Sequence, residues 1–375
     1  MISENTYWVA ISDLKIKIEE INKFLIFIYQ SKKSNLHDFF EMNNNGLHNN
    51  EFANIEINKF YKVEEKLNEY QSIQEELNKH NIDVIPINSP LYSRRLKDNL
   101  KTKRSPPVIF TKGDKSLLNQ DSVAIVGSRS ASGISLKFTD DVAKSNVEKS
   151  KVIVSGYAKG VDRQALDSAL KYNGKSIIVL PQGILTFSSG LTKFKNEIDN
   201  GDLLVISTYF PKAPWSVGLA MSRNSIIYGL GEEIFVAESN FSGGTWSGVQ
   251  EGLKRNQKIY VRKPFPDENN ANNKLIESGA ESFEWNCNGL YEADTSSFGQ
   301  VSEKGISDND KIGLLILKYL STVPKTSKDI KAGLKIDWSA NKITSYLKMN
   351  KDVEVLKTRP LKFAKKNSEQ IGMFG

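Results

Sequence analysis

From residue 122 onward the chain repeats one pattern six times: a short run rich in Val and Ile, then a segment of helical periodicity. Strands are expected at 122–126, 151–155, 175–180, 202–207, 233–237 and 258–261, and helices near 134–149, 162–172, 191–199, 217–230, 246–256 and 271–277. Strands alternating with helices imply βαβ crossovers, and these demand a mainly parallel sheet covered on both faces. The expected class is therefore a doubly wound α/β fold, in which ligands lie beyond the carboxyl ends of the strands.

The segments at those ends are Gly127-Ser128-Arg129, Gly156-Tyr157-Ala158-Lys159-Gly160, Pro181-Gln182-Gly183, Ser207-Thr208-Tyr209 and Ser239–Thr245. A tight turn at Gly127 delivers the chain from a buried strand to a helix N-terminus, where free N–H groups and the helix dipole favour an anion such as a phosphate. In the second loop, two glycines four apart let the backbone approach a ligand, Lys159 projects between them, and Asp162 is expected to cap the following helix.

A nicotinamide-type dinucleotide is the first guest to test. The turn lacks G-x-G-x-x-G, and the second strand ends in Ser155-Gly156, where an acidic ribose-binding residue would stand. No cofactor is expected. The single cysteine, Cys287, excludes a disulfide within one chain and a Cys-based zinc site. His37, His48 and His80 all precede the first of the six strands, at no paired metal-ligand spacing, so no metal is expected. No leader-like N-terminus and no apolar run of membrane-spanning length is apparent, and a cytoplasmic location is expected.

The flanks differ from the centre. Residues 1–81 read as moderately amphipathic helices, interrupted at Asn43-Asn44-Asn45-Gly46, and are expected to form a separate small domain. Residues 82–292 form the α/β domain, entered through Asp83–Pro86 and an extended stretch around Pro106-Pro107, and 293–310 a Ser/Gly/Asp-rich linker. Residues 311–375 read as three short helices and a hairpin, Asp352–Leu356 with Leu361–Phe363, the winged helix-turn-helix pattern. Between Asp308 and Ser368 there are 14 Lys/Arg against 6 Asp/Glu, a net of +8 in a chain whose total is +7. That asymmetry suits a polyanion near the tail. The third helix carries Lys342 and Lys348 but no Arg for bidentate base contacts, so docking or nonspecific contact is expected of it.

Val123-Ala124-Ile125-Val126-Gly127-Ser128-Arg129, the Ser155–Asp162 loop and Arg223-Asn224-Ser225-Ile226-Ile227-Tyr228-Gly229-Leu230 together resemble the DprA/Smf family of DNA-processing proteins. Pro181-Gln182-Gly183, Glu238 with Ser242-Gly243-Gly244-Thr245, and Leu275-Ile276-Glu277-Ser278-Gly279-Ala280 recur in the same order, so the resemblance covers roughly residues 82–281. It implies an extended Rossmann-like fold with a helical N-terminal domain and a winged helix. It also implies a homodimer that holds single-stranded DNA without catalysis and passes it to a RecA-type recombinase. Carried over residue by residue, Arg129, Lys159 and Arg223 would meet phosphates. Gly127, Ser128, Gly156, Gly160, Asn224, Ser242, Gly243 and Thr245 would complete the DNA-binding surface.

The chain also departs from the family's pattern. Leu166 replaces a common histidine, Thr208 a Glu, Ser225 the second Arg of Arg-Asn-Arg, and Thr186–Gly190 lacks the usual Tyr-Pro. Two alternatives follow. One is a specialised branch, such as the DprA-like antitoxin partners of phosphoribosyltransferase toxins in phage defence. The other is a nucleotide-monophosphate-cleaving enzyme, echoed by Gly243-Gly244-Thr245 and Glu251, although the domain has no His to serve as base.

Overall fold

A computed structural model describes residues 2–43, 58–266, 268–286, 316, 319–320, 324–334, 336–349, 353–356 and 360–365. Five helices come first: α1 (Glu4–Asp13), α2 (Ile18–Ile26), α3 (Leu36–Asn43), α4 (Asn58–Glu65) and α5 (Leu67–Lys79). Strand β1 (Asp83–Pro86), helix α6 (Arg94–Arg104) and strand β2 (Val108–Lys112) lead into the repeating part. There β3 (Ser122–Val126), α7 (Gly133–Glu148), β4 (Val152–Ser155), α8 (Val161–Lys171) and β5 (Ser176–Val179) follow one another. Next come α9 (Ser188–Lys193), α10 (Lys195–Asp199), β6 (Leu203–Ser207), α11 (Val217–Leu230) and β7 (Glu233–Val236). The series ends with α12 (Gly244–Lys254), β8 (Lys258–Arg262), α13 (Asn272–Glu277) and β9 (Glu281–Phe283).

All nine strands join one sheet in the order β1-β2-β6-β5-β4-β3-β7-β8-β9. From β6 across to β9 every pairing is parallel, whereas β1 with β2 and β2 with β6 are antiparallel. The doubly wound class read from the sequence is correct, with an antiparallel margin added. Successive strands β3 to β6 march outward on one side of β3, and β7 then returns to its other side. The order reverses between β3 and β7, which opens a crevice at their carboxyl ends.

The pleat sorts the core. Val123 and Ile125 of β3 pack with Phe138 and Val142 of α7 and Ala165 of α8 on one face. Their alternate neighbours Ala124 and Val126 share the opposite core with Ile226, Ile227 and Leu230 of α11, as the two-residue period of a strand requires. Val205 and Leu203 of β6 meet a different partner, the N-terminal helices. Phe24, Phe40, Phe60 and Leu77 lie in one buried cluster with Phe110, Ile178, Leu203 and Val205.

The separate domain expected for residues 1–81 is therefore not what folds. These helices cover one face of the sheet's antiparallel end, within a compact unit that takes in the whole α/β region. Asn22 of α2 reinforces the junction, donating to the carbonyls of Thr102 (2.7 Å) and Ser105 (2.8 Å), which stand at the end of α6 where helix carbonyls have no internal partner. The linker at 293–310 lies outside the described residues.

The C-terminal unit has its own buried cluster, including Ile316, Ile330, Trp338, Ile343, Leu347 and Phe363. Its helices span Ser327–Leu334 and Ala340–Met349, and a three-stranded antiparallel sheet places Lys362–Lys365 between Lys325–Thr326 and Val353–Leu356. The expected hairpin is present, with an added short strand.

Candidate functional site

A cleft of about 290 Å³ opens at the β3/β7 switch point. Gly127, Ser128, Arg129 and Ser130 from the end of β3, Asn240, Ser242, Gly243, Gly244 and Thr245 from the β7–α12 loop, and Trp215, Val217, Met221, Arg223 and Asn224 around α11 contribute to its walls. Ala158 and Asp162 enter from the loop after β4. Of the five loops that the sequence reading singled out, those after β3, β4 and β7 meet at this cleft, whereas Pro181–Gly183 and Ser207–Tyr209 are not among its lining residues. Lys159 stands exposed beside the cleft on the same loop as Ala158, while Gly156 and Gly160 act from behind the wall.

Three of these loops are stitched together by backbone. The Ser128 N–H donates to the Glu238 carbonyl (2.8 Å), and the Val161 N–H donates to the Ser128 carbonyl (3.2 Å). Gly160 has φ +80, and a Cβ there would lie 2.3 Å from the Ser128 carbonyl oxygen. Its role is to let the second loop sit on the first. Gly127 is comparable, since a Cβ would lie 2.5 Å from Val161. Each glycine thus makes room for a neighbouring loop.

The helix N-terminus expected to attract a phosphate already holds an anion of the protein. Glu238, buried at the end of β7, accepts through Oε2 from the Ser132 N–H (2.9 Å), the Ser132 hydroxyl (2.7 Å) and the Ser135 hydroxyl (2.8 Å). A carboxylate suits the positive end of α7. Arg262, fully buried and paired with Glu268, also donates to the Ser135 hydroxyl (3.1 Å) and so closes the network. Glu238 matched a family position in the sequence, but its function depends on two elements about a hundred residues apart meeting. The N-terminus of α12 is arranged differently. Its N-cap is Gly243, at φ +97 with no side-chain cap, and Gly243, Gly244 and Thr245 face the cleft.

Arg223 is only 3% exposed and Asp162 7%. The Arg223 Nη1 lies 3.5 Å from Asp162 Oδ2 and 3.4 Å from the Val179 carbonyl oxygen, and a Cβ on Gly156 would lie 1.1 Å from that nitrogen. Gly156 is thus the gap through which the guanidinium passes. Arg223 does not stand on the surface as a phosphate contact would; it forms part of the floor. Asp162 is likewise not the helix cap, a position held by Gly160, but the buried counter-ion. Burial pushes the Asp162 carboxyl above its ordinary range, against the pull of Arg223 and the Ala158 N–H.

Arg129 and Lys159 are exposed, and neither has a side-chain hydrogen bond or ion pair among the described residues. Asn224 lies against the α12 start, where a Cβ on Gly244 would lie 2.6 Å from its Nδ2. Glu251, the carboxylate of the enzyme alternative, is absent from the cleft wall and is ion-paired with Arg104 and Arg255. Of the family departures, Leu166 is buried in the core shared with the N-terminal helices. The sequence reading missed Trp215, Val217 and Met221, whose only signal was an apolar cluster following Pro214 at the start of a helix. Among the described residues no group of His, Cys, Asp and Glu could hold a metal ion, and no helix is long and apolar enough to cross a membrane.

The family profile described as DNA recombination-mediator protein A matches residues 83–292, more than half of the chain. The chain belongs to that family. DNA processing protein DprA of Streptococcus pneumoniae is 33% identical over 157 residues, 42% of this chain and 55% of that relative's own length. DprA of Bacillus subtilis is 26% identical over 215 residues, 56% of this chain and 71% of the relative. The solved structure of the Streptococcus pneumoniae protein gives a TM-score of 0.58 at 24% identity, covering 75% of this chain and 95% of that one. That likeness is one of fold, and it agrees with the doubly wound architecture derived above for this member of the recombination-mediator family.

Proposed function

We propose that the cleft at the β3/β7 switch point binds single-stranded DNA through its phosphates and does no chemistry on it. The observation that carries this reading is Arg129: exposed on the cleft wall, with no side-chain hydrogen bond or ion pair among the described residues, and sharing the cleft with the uncapped N-terminus of α12. A cation and free helix N–H groups facing one groove attract a chain of phosphates without reading sequence. Lys159 extends the cationic edge. Ser242, Gly243 and Thr245 offer the backbone and hydroxyl donors, and Arg223 holds the floor from below.

The test is a salt titration of strand binding. Each phosphate neutralised on a single strand contributes about 0.7 to the slope of log affinity against log salt. Arg129→Ala with Lys159→Ala should therefore weaken binding and flatten the slope by about 1.4. Wild-type affinity and slope in that double variant would sink the assignment.

The reading extends to a homodimer that hands the strand to a RecA-type recombinase, in keeping with the description of the family as recombination mediators. Sedimentation of the full chain and co-purification with a recombinase on single-stranded DNA test that extension; a monomer that recruits none would remove it.

A further inference from the structure

Seven large hydrophobic side chains are exposed among the described residues; three of them line the cleft and a fourth, Phe241, belongs to the β7–α12 loop that forms one of its walls. Trp215, Val217 and Met221 line the cleft, and Phe241 sits between its lining residues Asn240 and Ser242. Trp215 is 50% exposed and Phe241 59%. Val217 and Met221 are four residues apart on α11 and so share one helical face. Such side chains are normally withdrawn from water, and a cluster of them at a concave site marks a surface made to be covered.

The same cleft carries Arg129 and the open start of α12, so whatever covers it presents an anion beside an apolar surface. A single strand of nucleic acid does this at every residue: its phosphate is charged and its base offers an unpaired apolar face. A duplex hides that face inside its stack, and an apolar protein segment would leave Arg129 without a partner.

We infer that Trp215 and Phe241, backed by Val217 and Met221, form a stacking ledge for the bases of the bound strand. This rests on the strand-binding reading above and adds what that reading lacks, a reason for preferring single strands to duplex. Aromatic stacking is tolerant of sequence because every base has a π-face.

The experiment uses the full chain and a fluorescein-labelled oligothymidylate, with its abasic counterpart as a second probe. Trp215→Ala combined with Phe241→Ala should weaken oligothymidylate binding about tenfold or more, with the salt slope unchanged because no phosphate contact is lost. Trp215→Phe should retain most of the affinity. The abasic strand should bind wild type and double variant equally. Unchanged affinity in the double variant, while wild type binds, overturns the ledge and leaves the phosphate reading intact. Failure of wild type to bind either probe overturns both. A double variant that binds normally but no longer self-associates in sedimentation would reassign the apolar surface to protein docking.

Discussion

Arg223 and Asp162 form an ion pair within the protein, Nη1 to Oδ2 at 3.5 Å, and both line the cleft at the β3/β7 switch point. The pair is reached across Gly156, whose missing side chain is the space the guanidinium occupies. Charge that could have faced a ligand is spent instead on holding the β4 loop to α11.

Removing one member of this pair should cost more than removing both. Arg223→Met strands a buried carboxylate and should destabilise by about 3 kcal/mol, while Arg223→Met with Asp162→Asn should recover part of that loss. Urea unfolding of the two variants measures the difference. Equal stability in Arg223→Met and wild type would mean the pair contributes nothing.

Two glycines with positive φ should respond differently to alanine. At Gly160 the added Cβ meets the Ser128 carbonyl at 2.3 Å, whereas at Gly243 nothing lies within 4 Å. Gly243→Ala should cost about 1 kcal/mol of backbone strain. Gly160→Ala should cost roughly twice that or more, since overpacking is added to the strain, and should displace Arg129. Thermal unfolding ranks them, and the reverse order would contradict the stitched-loop geometry.

Glu238→Ala should free the Ser132 and Ser135 donors at the start of α7 and cost about 1–3 kcal/mol. Hydrogen exchange at residues 130–136 should quicken relative to the sheet strands. Protection unchanged there would show that the carboxylate is not what organises the turn.

Acid should weaken the fold. Burial raises the carboxyls of Asp140, Glu233 and Glu268, but their hydrogen bonds outweigh it: from Ser168 and Tyr172 to Asp140, from Lys258 and Lys151 to Glu233, and from Arg262 and the Phe265 N–H to Glu268. All three are held below their ordinary range. A lowered native pKa means stability that is complete above the unfolded value and lost as pH falls through the native one. Asp162, whose shift is upward, contributes in the opposite sense. The urea midpoint should therefore fall from about pH 5 downward to pH 3, and a rise would show that Asp162 dominates.

Much of the fold is legible in the sequence because strands and helices of a doubly wound sheet keep their periods locally. The strand at 122–126 and the helix at 217–230 have the expected limits. Helix α6 escapes such a reading: Leu96 and Leu100 are its only buried apolar residues in a run of Lys and Arg. The loops of the cleft are legible from their glycines, yet what each glycine does is not. Gly156 and Gly160 read as positions for a ligand, and the room each leaves for Arg223 and for Ser128 is set by tertiary packing that no local pattern shows. The N-terminal helices likewise show an apolar face without showing what it meets.

That face has a consequence for the order in which the chain is made. Asn22 bonds to Ser105, 83 positions later, and the Tyr70 ring packs edge-on against Phe210 at 6.2 Å. The first five helices leave the ribosome well before β5 and β6 exist to receive them. Their apolar surface waits until β6 has been made, so the N-terminal segment is completed only after a stretch of chain translated well behind it.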